Sequence, residues 1–440
     1  MLKLVPWLVF ASLVALCAPK VRAQSELDAV YAELGPYTGP AAAEAIENTT
    51  LTGKVLAGYQ GWFTAEGDGA GLGWKHYGRR GDFRPGRCNI DLWPDVSELD
   101  DDEKIDTPFQ HADGATAQVF SSHHPKTVLR HFQWMREYGI DGVFVQRFVV
   151  ETRGAATLRH FNQVLTNCRE GANTHRRCYA VMYDLSGLRE GEMDRAIEDW
   201  KHLVDHMHLG RDEADRAYLR HGGRPVVAVW GVGFNDDRAY TLADCQRFVE
   251  FLKDDPQYGG NTVMVGVPTA WRTLDRDAVN DPALHDLIKK ADIVSPWTVG
   301  RYDSPRGAAR HAAELIAPDI AWCREHGKEY LPVAFPGFSW SNMRRNAPFD
   351  QIPRLRGEFL WSQFVGAKRA GADMFYIAMF DELDEGTAIF KCTNNPPVGE
   401  SRFVTWDGLP SDHYLWLTGR GGAMLRGEVP TSDEPPRREQ

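Results

Sequence analysis

The sequence predicts an α/β chain folded as a (β/α)₈ TIM barrel with a long first βα loop. Three observations carry this. Eight β-like apolar runs alternate with helical patterns, as a parallel sheet with crossover helices requires. The alternation extends over roughly 370 residues, the span of a barrel with enlarged loops. An open doubly wound sheet brings a glycine-rich phosphate loop after its first strand, and none is present.

Taken in order, the first strand is Lys54-Val-Leu-Ala-Gly-Tyr-Gln-Gly-Trp-Phe63, followed by a long Gly/Asp/Pro-punctuated segment to about His124. Pro125 opens a helix in which Val128, Phe132, Met135 and Tyr138 keep helical spacing up to Gly139. The remaining predicted strands are 140–148, 178–185, 225–231, 261–267, 292–296, 330–335 and 374–380. The remaining predicted helices are 158–168, 193–207, 242–252, 282–290, 308–326, 359–369 and a last one over 412–425. Residues 24–50 are read as a leader, 51–427 as the barrel, and 428–440, rich in proline and charge, as a disordered tail.

Residues 1–23 read as a secretory signal. Lys3 is the positive start, Leu4 to Ala18 the apolar stretch, and Val21-Arg22-Ala23 the cleavage site. The predicted location is therefore periplasmic or extracellular, with no membrane span. The formal charge is −11, and it becomes −14 once Lys3, Lys20 and Arg22 are removed. So acidic a chain is a poor partner for nucleic acid or an anionic membrane. Six cysteines remain beyond Ala23; the short Cys168–Cys178 loop is the easiest disulfide to imagine, with buried free thiols as the alternative.

The chemistry is expected at the end of the eighth strand, where Met374–Phe380 stops at Asp381, Glu382, Asp384 and Glu385. Carboxylates at the C-terminal end of a barrel strand stand where such folds react. Glu382 and Glu385, three residues apart on a turn, repel each other, and one acid with a raised pKa beside an ionised base suits glycosidic cleavage. A hard cation held by Asp381, Glu382 and Asp384 is the alternative, although the other ligands of a calcium loop are missing. Trp62, Trp230, Trp271, Trp297 and Trp340 sit at or just after strand ends, and Trp93 lies in the first loop. Aromatic platforms beside carboxylates suit a sugar. Gln146 and Arg147 end the second strand as substrate-binding candidates, with neutralisation of the acidic cluster as the other reading of Arg147. Asp184 ends the third strand and either orients a hydroxyl or caps a turn. His202 and His206, four apart on one helix, lack the intervening Glu of a metallopeptidase motif and are read as structural. There is no Gly-x-Ser-x-Gly elbow.

Phe380-Asp-Glu-Leu-Asp-Glu-Gly-Thr387 resembles the Phe-Asn-Glu-Trp-x-Glu-Gly-Thr segment of glycoside hydrolase family 99, the endo-α-mannosidases and endo-α-mannanases. Leu56–Phe63, Cys88–Val96, His131–Phe148 and Met182–Gly187 are similar to blocks of the wider 71/99-like group. The resemblance implies a retaining endo-α-glycosidase that needs no metal or cofactor and acts on a polysaccharide or oligosaccharide. Glu382 would deprotonate the 2-hydroxyl, and Glu385 would serve as acid/base. Tyr59 matches an aromatic block lining the substrate subsite. Asp381 stands for Asn, Leu383 for Trp and Asp384 commonly for His, so these two aspartates are the expected source of altered substrate contacts. A barrel that binds glycans without cutting them, and a metal-dependent hydrolase, are the competing readings.

Overall fold

The computed structural model describes residues 24–344 and 346–438. The predicted signal, residues 1–23, lies outside them. Eight parallel strands form the barrel: β1 Val55–Tyr59, β2 Gly142–Phe148, β3 Cys178–Asp184, β4 Arg224–Trp230, β5 Thr262–Val267, β6 Ile293–Pro296, β7 in two pieces, Glu329–Tyr330 and Val333–Ala334, and β8 Phe375–Ile377. Pro332 splits β7 because it has no N–H to donate, yet its carbonyl still accepts Tyr376 N at 3.0 Å. The ring closes through β8, which pairs in parallel with β7 (Val333↔Tyr376) and with β1 (Val55↔Phe375).

The helices follow the predicted spacing: α1 Pro125–Tyr138, α2 Ala155–His175, α3 Met193–Met207, α4 Leu242–Asp254, α5 Ala283–Lys290, α6 from Pro305 to Glu325, α7 Glu358–Ala370 and α8 His413–Leu425. Helix α1 buries Val128, Phe132 and Met135 and stops at Gly139 in the left-handed region. Helix α4 starts on a reciprocal Thr241–Asp244 cap. Helix α6 passes through a π segment, Ala312–Ile316, just ahead of Pro318. That is where a proline denies the helix one i→i−4 bond and a bulge absorbs the loss.

The first βα connection, residues 60–124, carries an antiparallel hairpin, Ile105–Gln110 with Thr116–Val119. Its own aromatic core includes Tyr77, Phe83, Trp93 and Phe109. Asp91 ties this loop to the one after β7 by accepting from Ser341 N and Asn342 N, both at 2.8 Å.

Three expectations are corrected. Residues 428–438 are not a loose tail: Trp361 donates to Ser432 O at 2.8 Å, Arg369 pairs with Asp433 at 2.6 Å, and Arg438 pairs with Asp412. Cys168 and Cys178 do not bond; the six cysteines of the described residues are free and buried. Arg147 neither faces substrate nor meets the acidic turn. It points outward from β2 and pairs with Asp199 of α3 through Nε (3.0 Å) and Nη2 (2.6 Å), where Tyr31 and Tyr183 also donate. Side chains alternate along a strand, so when Gln146 enters the barrel its neighbour must leave it. His202 stacks on Tyr31 at 4.0 Å and on His206 at 5.8 Å, which fits the structural reading of that pair. Among the described residues no helix is long and apolar enough to cross a membrane.

Arg147→Ala strands a buried Asp199 carboxylate and is expected to cost about 3–5 kcal/mol of stability. Chemical denaturation of mutant and wild type measures it.

Candidate active site

Residues whose side chains turn into the barrel at its C-terminal end build one cavity of about 270 Å³. Gln60 and Trp62 follow β1, Gln146 and Phe148 end β2, Asp184 ends β3 and Ser186 follows it; Trp230 closes β4, Trp297 follows β6, and Met379, Glu382 and Glu385 follow β8. The parity that ejects Arg147 also settles Tyr59. Gly58 faces Tyr376 and Met379 inside the barrel, so Tyr59 points out against Phe132 and bonds His131 at 2.8 Å. Tyr59 is therefore a core residue and not a cavity wall.

The acidic turn is held almost everywhere by its backbone. Glu382 O accepts Ala388 N (2.9 Å), Leu383 O accepts Asp91 N (2.9 Å), and Glu385 O accepts Ser339 N (2.9 Å). The buried Arg354 donates to Gly386 O and Ala388 O at 2.7 and 2.8 Å. Asp381 is fully buried, its two oxygens accepting Gln60 N at 2.8 Å and Gly61 N at 2.9 Å. Gly61 is at φ +62°, and a Cβ there would lie 2.5 Å from Val164. Asp381 is thus a clasp between β8 and β1 and does not reach substrate, contrary to its assignment as a binding residue.

Asp384 also turns away from the cavity. It bonds His76 Nδ1 at 2.9 Å, and His76 stacks on Trp62 with centroids 3.8 Å apart. Trp62 stacks on Phe148 as well, at 5.1 Å. The wall itself therefore occupies ring surface that the sequence reading gave to a sugar. Trp93 is buried in the first loop, with Nε1 donating to Gln118 O at 3.0 Å, and is likewise corrected. Trp340 packs on Phe338 and under the Arg344 guanidinium, beside the turn but outside the cavity wall. Of the sequence candidates, Glu382, Glu385, Trp62, Gln146, Asp184, Trp230 and Trp297 converge. Gln60, Phe148, Ser186 and His76 were missed. Counting alternate residues into the barrel finds Phe148 from Gln146, whereas His76 leaves no local signal.

Glu382 takes one donor on each oxygen, Gln60 Nε2 at 2.5 Å and the Thr387 hydroxyl. Burial, then the neighbouring Glu385 and Asp384 carboxyls, push it well above its ordinary value against those two hydrogen bonds. Glu385 has no hydrogen-bonding side chain among the described residues. Burial and then Asp384 push it up to about 7, with Arg344 opposing. Burial also lifts Asp381 to about 7 and raises Asp184. Four wall atoms are buried without a protein partner: the acceptors Gln60 Oε1 and Gln146 Oε1, and the donors Trp62 Nε1 and Trp230 Nε1. Buried polar atoms are normally bonded, so this wall suits a ligand that both donates and accepts, as hydroxyls do.

Asp381→Asn places an amide N–H₂ against a backbone N–H and is expected to cost about 1–3 kcal/mol, read by denaturation. Carboxyls raised in the fold give stability that is complete below their unfolded values and is lost as pH rises through about 7. The midpoint temperature should therefore fall as pH rises from about 4 to about 7 and level off above, and fall less in Glu385→Gln; thermal unfolding across that range measures both.

No protein-family model matches the sequence, and no curated protein sequence does. Among solved structures, a GH99 endo-alpha-mannosidase from Bacteroides thetaiotaomicron in complex with BIS-TRIS-propane is similar over 86% of this chain and 98% of its own, at 14% identity and a TM-score of 0.61. A second structure of the GH99 endo-alpha-mannosidase from that organism is similar over 86% and 99%, at 16% identity and a TM-score of 0.59. A glycoside hydrolase-like protein is similar over 87% and 96%, at 14% identity and a TM-score of 0.52. The chain shares the barrel fold of these glycoside hydrolase structures along nearly their whole length.

Proposed function

We propose that the protein is a glycoside hydrolase that cuts α-glycosidic bonds within a glycan, an α-mannan-like or α-glucan chain, with retention at the anomeric carbon. The observation that carries this reading is the buried pair Glu382 and Glu385 in a tryptophan-walled cavity, one carboxyl held by donors on both oxygens and the other free of them. The fold shared with endo-alpha-mannosidase structures supports an α-linked substrate.

In this reading Glu382 takes the proton of the sugar 2-hydroxyl, and that oxygen attacks the anomeric carbon. Glu385 gives its proton to the leaving glycosidic oxygen. Glu385 then takes a proton from water as the water opens the bridged sugar, and Glu382 returns its proton to the 2-oxygen. Gln60 and Thr387 fix the base, and the absence of a tether on Glu385 leaves it able to follow the moving proton. Asp184 and Gln146 orient hydroxyls from the opposite wall. Residues 1–23 would direct export and be removed after Ala23; the mass of the secreted protein tests that.

Glu385→Gln is expected to lower turnover by about 10²–10⁴-fold while the fold persists. The screen runs purified enzyme against α-mannans, α-1,3-glucan and α-mannosyl and α-glucosyl fluorides; full activity of this mutant, or glycan binding with no turnover by wild type, overturns the assignment. Both carboxyls are raised above the ordinary carboxylate range, and until the coupled pair loses a proton it lacks a base. The acid limb of the kcat/KM profile should therefore lie above that ordinary range. Asp384→Asn, which removes a like charge beside both, should move that limb to lower pH.

A further inference from the structure

The catalytic cavity is small. At about 270 Å³ it lies below the roughly 300–1,000 Å³ usual for ligand pockets and has room for little more than one sugar ring. A second cavity of about 260 Å³ opens on the same face, between the loops after β4 and β5. The two are neighbours across Trp230. That residue walls the first, while Gly231 and Phe234, the latter 4.9 Å from the Trp230 ring, line the second. We propose that this second cavity is a sugar-binding subsite for the adjacent unit of the same glycan chain, an inference that rests on the hydrolase reading above.

The cavity is built around one fixed cation. The Arg238 guanidinium lies 5.1 Å from the Trp230 ring and 4.8 Å from that of Phe234. Asp236 holds it through two bonds, at 2.8 and 2.9 Å, and it donates to the Tyr240 hydroxyl at 2.6 Å. Tyr240 in turn donates to Gly231 O at 2.8 Å. Gly231 makes this possible: at φ +108°, a Cβ would meet Arg238 Nη1 at 2.7 Å and the Tyr240 oxygen at 2.8 Å. Arg238 also reaches Ser186 Oγ at 3.5 Å, and Ser186 belongs to the catalytic cavity. One rigid unit of arginine and aromatic rings is therefore shared by both spaces.

The chemistry matches a neutral ring better than an ion. Phe234 and Tyr240 offer apolar surface for C–H faces, and Asp237 and Asp281 stand at the rim as partners for hydroxyls. The carboxylates of Asp236, Asp237 and Asp281 oppose a phosphate or sulfate. A polymer that fills both cavities passes over the edge of Trp230.

The test compares substrates that fill one cavity or two. Asn235 is exposed on the rim, so Asn235→Trp blocks the second cavity with little risk to folding, and Asn235→Ala leaves it open. The probes are α-mannosyl and α-glucosyl fluoride against α-linked manno- and gluco-oligosaccharides of two to five units. In Asn235→Trp the ratio of kcat/KM for the longer oligosaccharides to that for the fluoride should fall at least tenfold, and in Asn235→Ala less than threefold. An unchanged ratio in the Trp variant, with wild-type turnover intact, overturns the subsite and leaves the hydrolase reading standing. If wild type turns over neither probe, the hydrolase reading fails. The subsite is then decided by calorimetric titration of the oligosaccharides into the Glu385→Gln protein: binding that Asn235→Trp weakens tenfold supports it, and binding that is absent or unaffected overturns it.

Discussion

The grip of the Asp381 carboxylate on two backbone N–H groups, those of Gln60 and Gly61, is the interaction on which the site depends. It joins the end of the last strand to the end of the first, where no stretch of chain connects them directly. A carboxylate suits this place because both of its oxygens accept, whereas an amide would set a donor against one of the two N–H groups. With the clasp made, Gln60 lies against Glu382, and the acidic turn can be held by its own carbonyls. Eleven side chains from six strand ends then converge on one small space.

The electrostatic cost of this arrangement is concentrated in a few residues. Asp381, Glu382 and Glu385 are carboxyls raised by burial, and Asp384 adds its charge beside the last two. The acid and base proposed for Glu382 and Glu385 call for such shifted values, and the fold supplies them at the expense of its own stability as pH rises. Asp384 has a second part to play: through His76 it sets the position of Trp62 and so the width of the cavity.

The architecture was legible because the eight apolar runs and the intervening helical spacings are strong, local signals, and nearly every predicted element lies within a few residues of the one observed. The two glutamates were legible for a similar reason, since they end the last run. Direction was not. Arg147 and Tyr59 are next to cavity residues in sequence, but each points outward because side chains alternate along a strand. Trp93 answered to composition alone, and a loop with an aromatic core of its own claimed it. His76 meets Asp384 across 308 positions, a contact that no window of the sequence contains. The tail was misjudged because proline and charge describe an unpartnered segment, while here Trp361, Arg369 and Asp412 supply partners.

The pairing of Val55 with Phe375 spans most of the chain. Every other strand contact in the ring joins elements that follow one another. The β1–β8 seam alone lacks that help, and it is stitched without covalent linkage: by Asp381 within the barrel mouth, and by Asp412 on the outside, which accepts from Tyr138 and pairs with Arg438. Pairings of such sequence separation come at a high entropic cost and form slowly. Because Glu382 and Gln60 stand on opposite sides of this seam, a molecule whose ring has not closed has not assembled the proposed base. Glycan turnover would then report the last long-range step of folding, which intrinsic fluorescence, averaged over tryptophans all round the barrel, would blur.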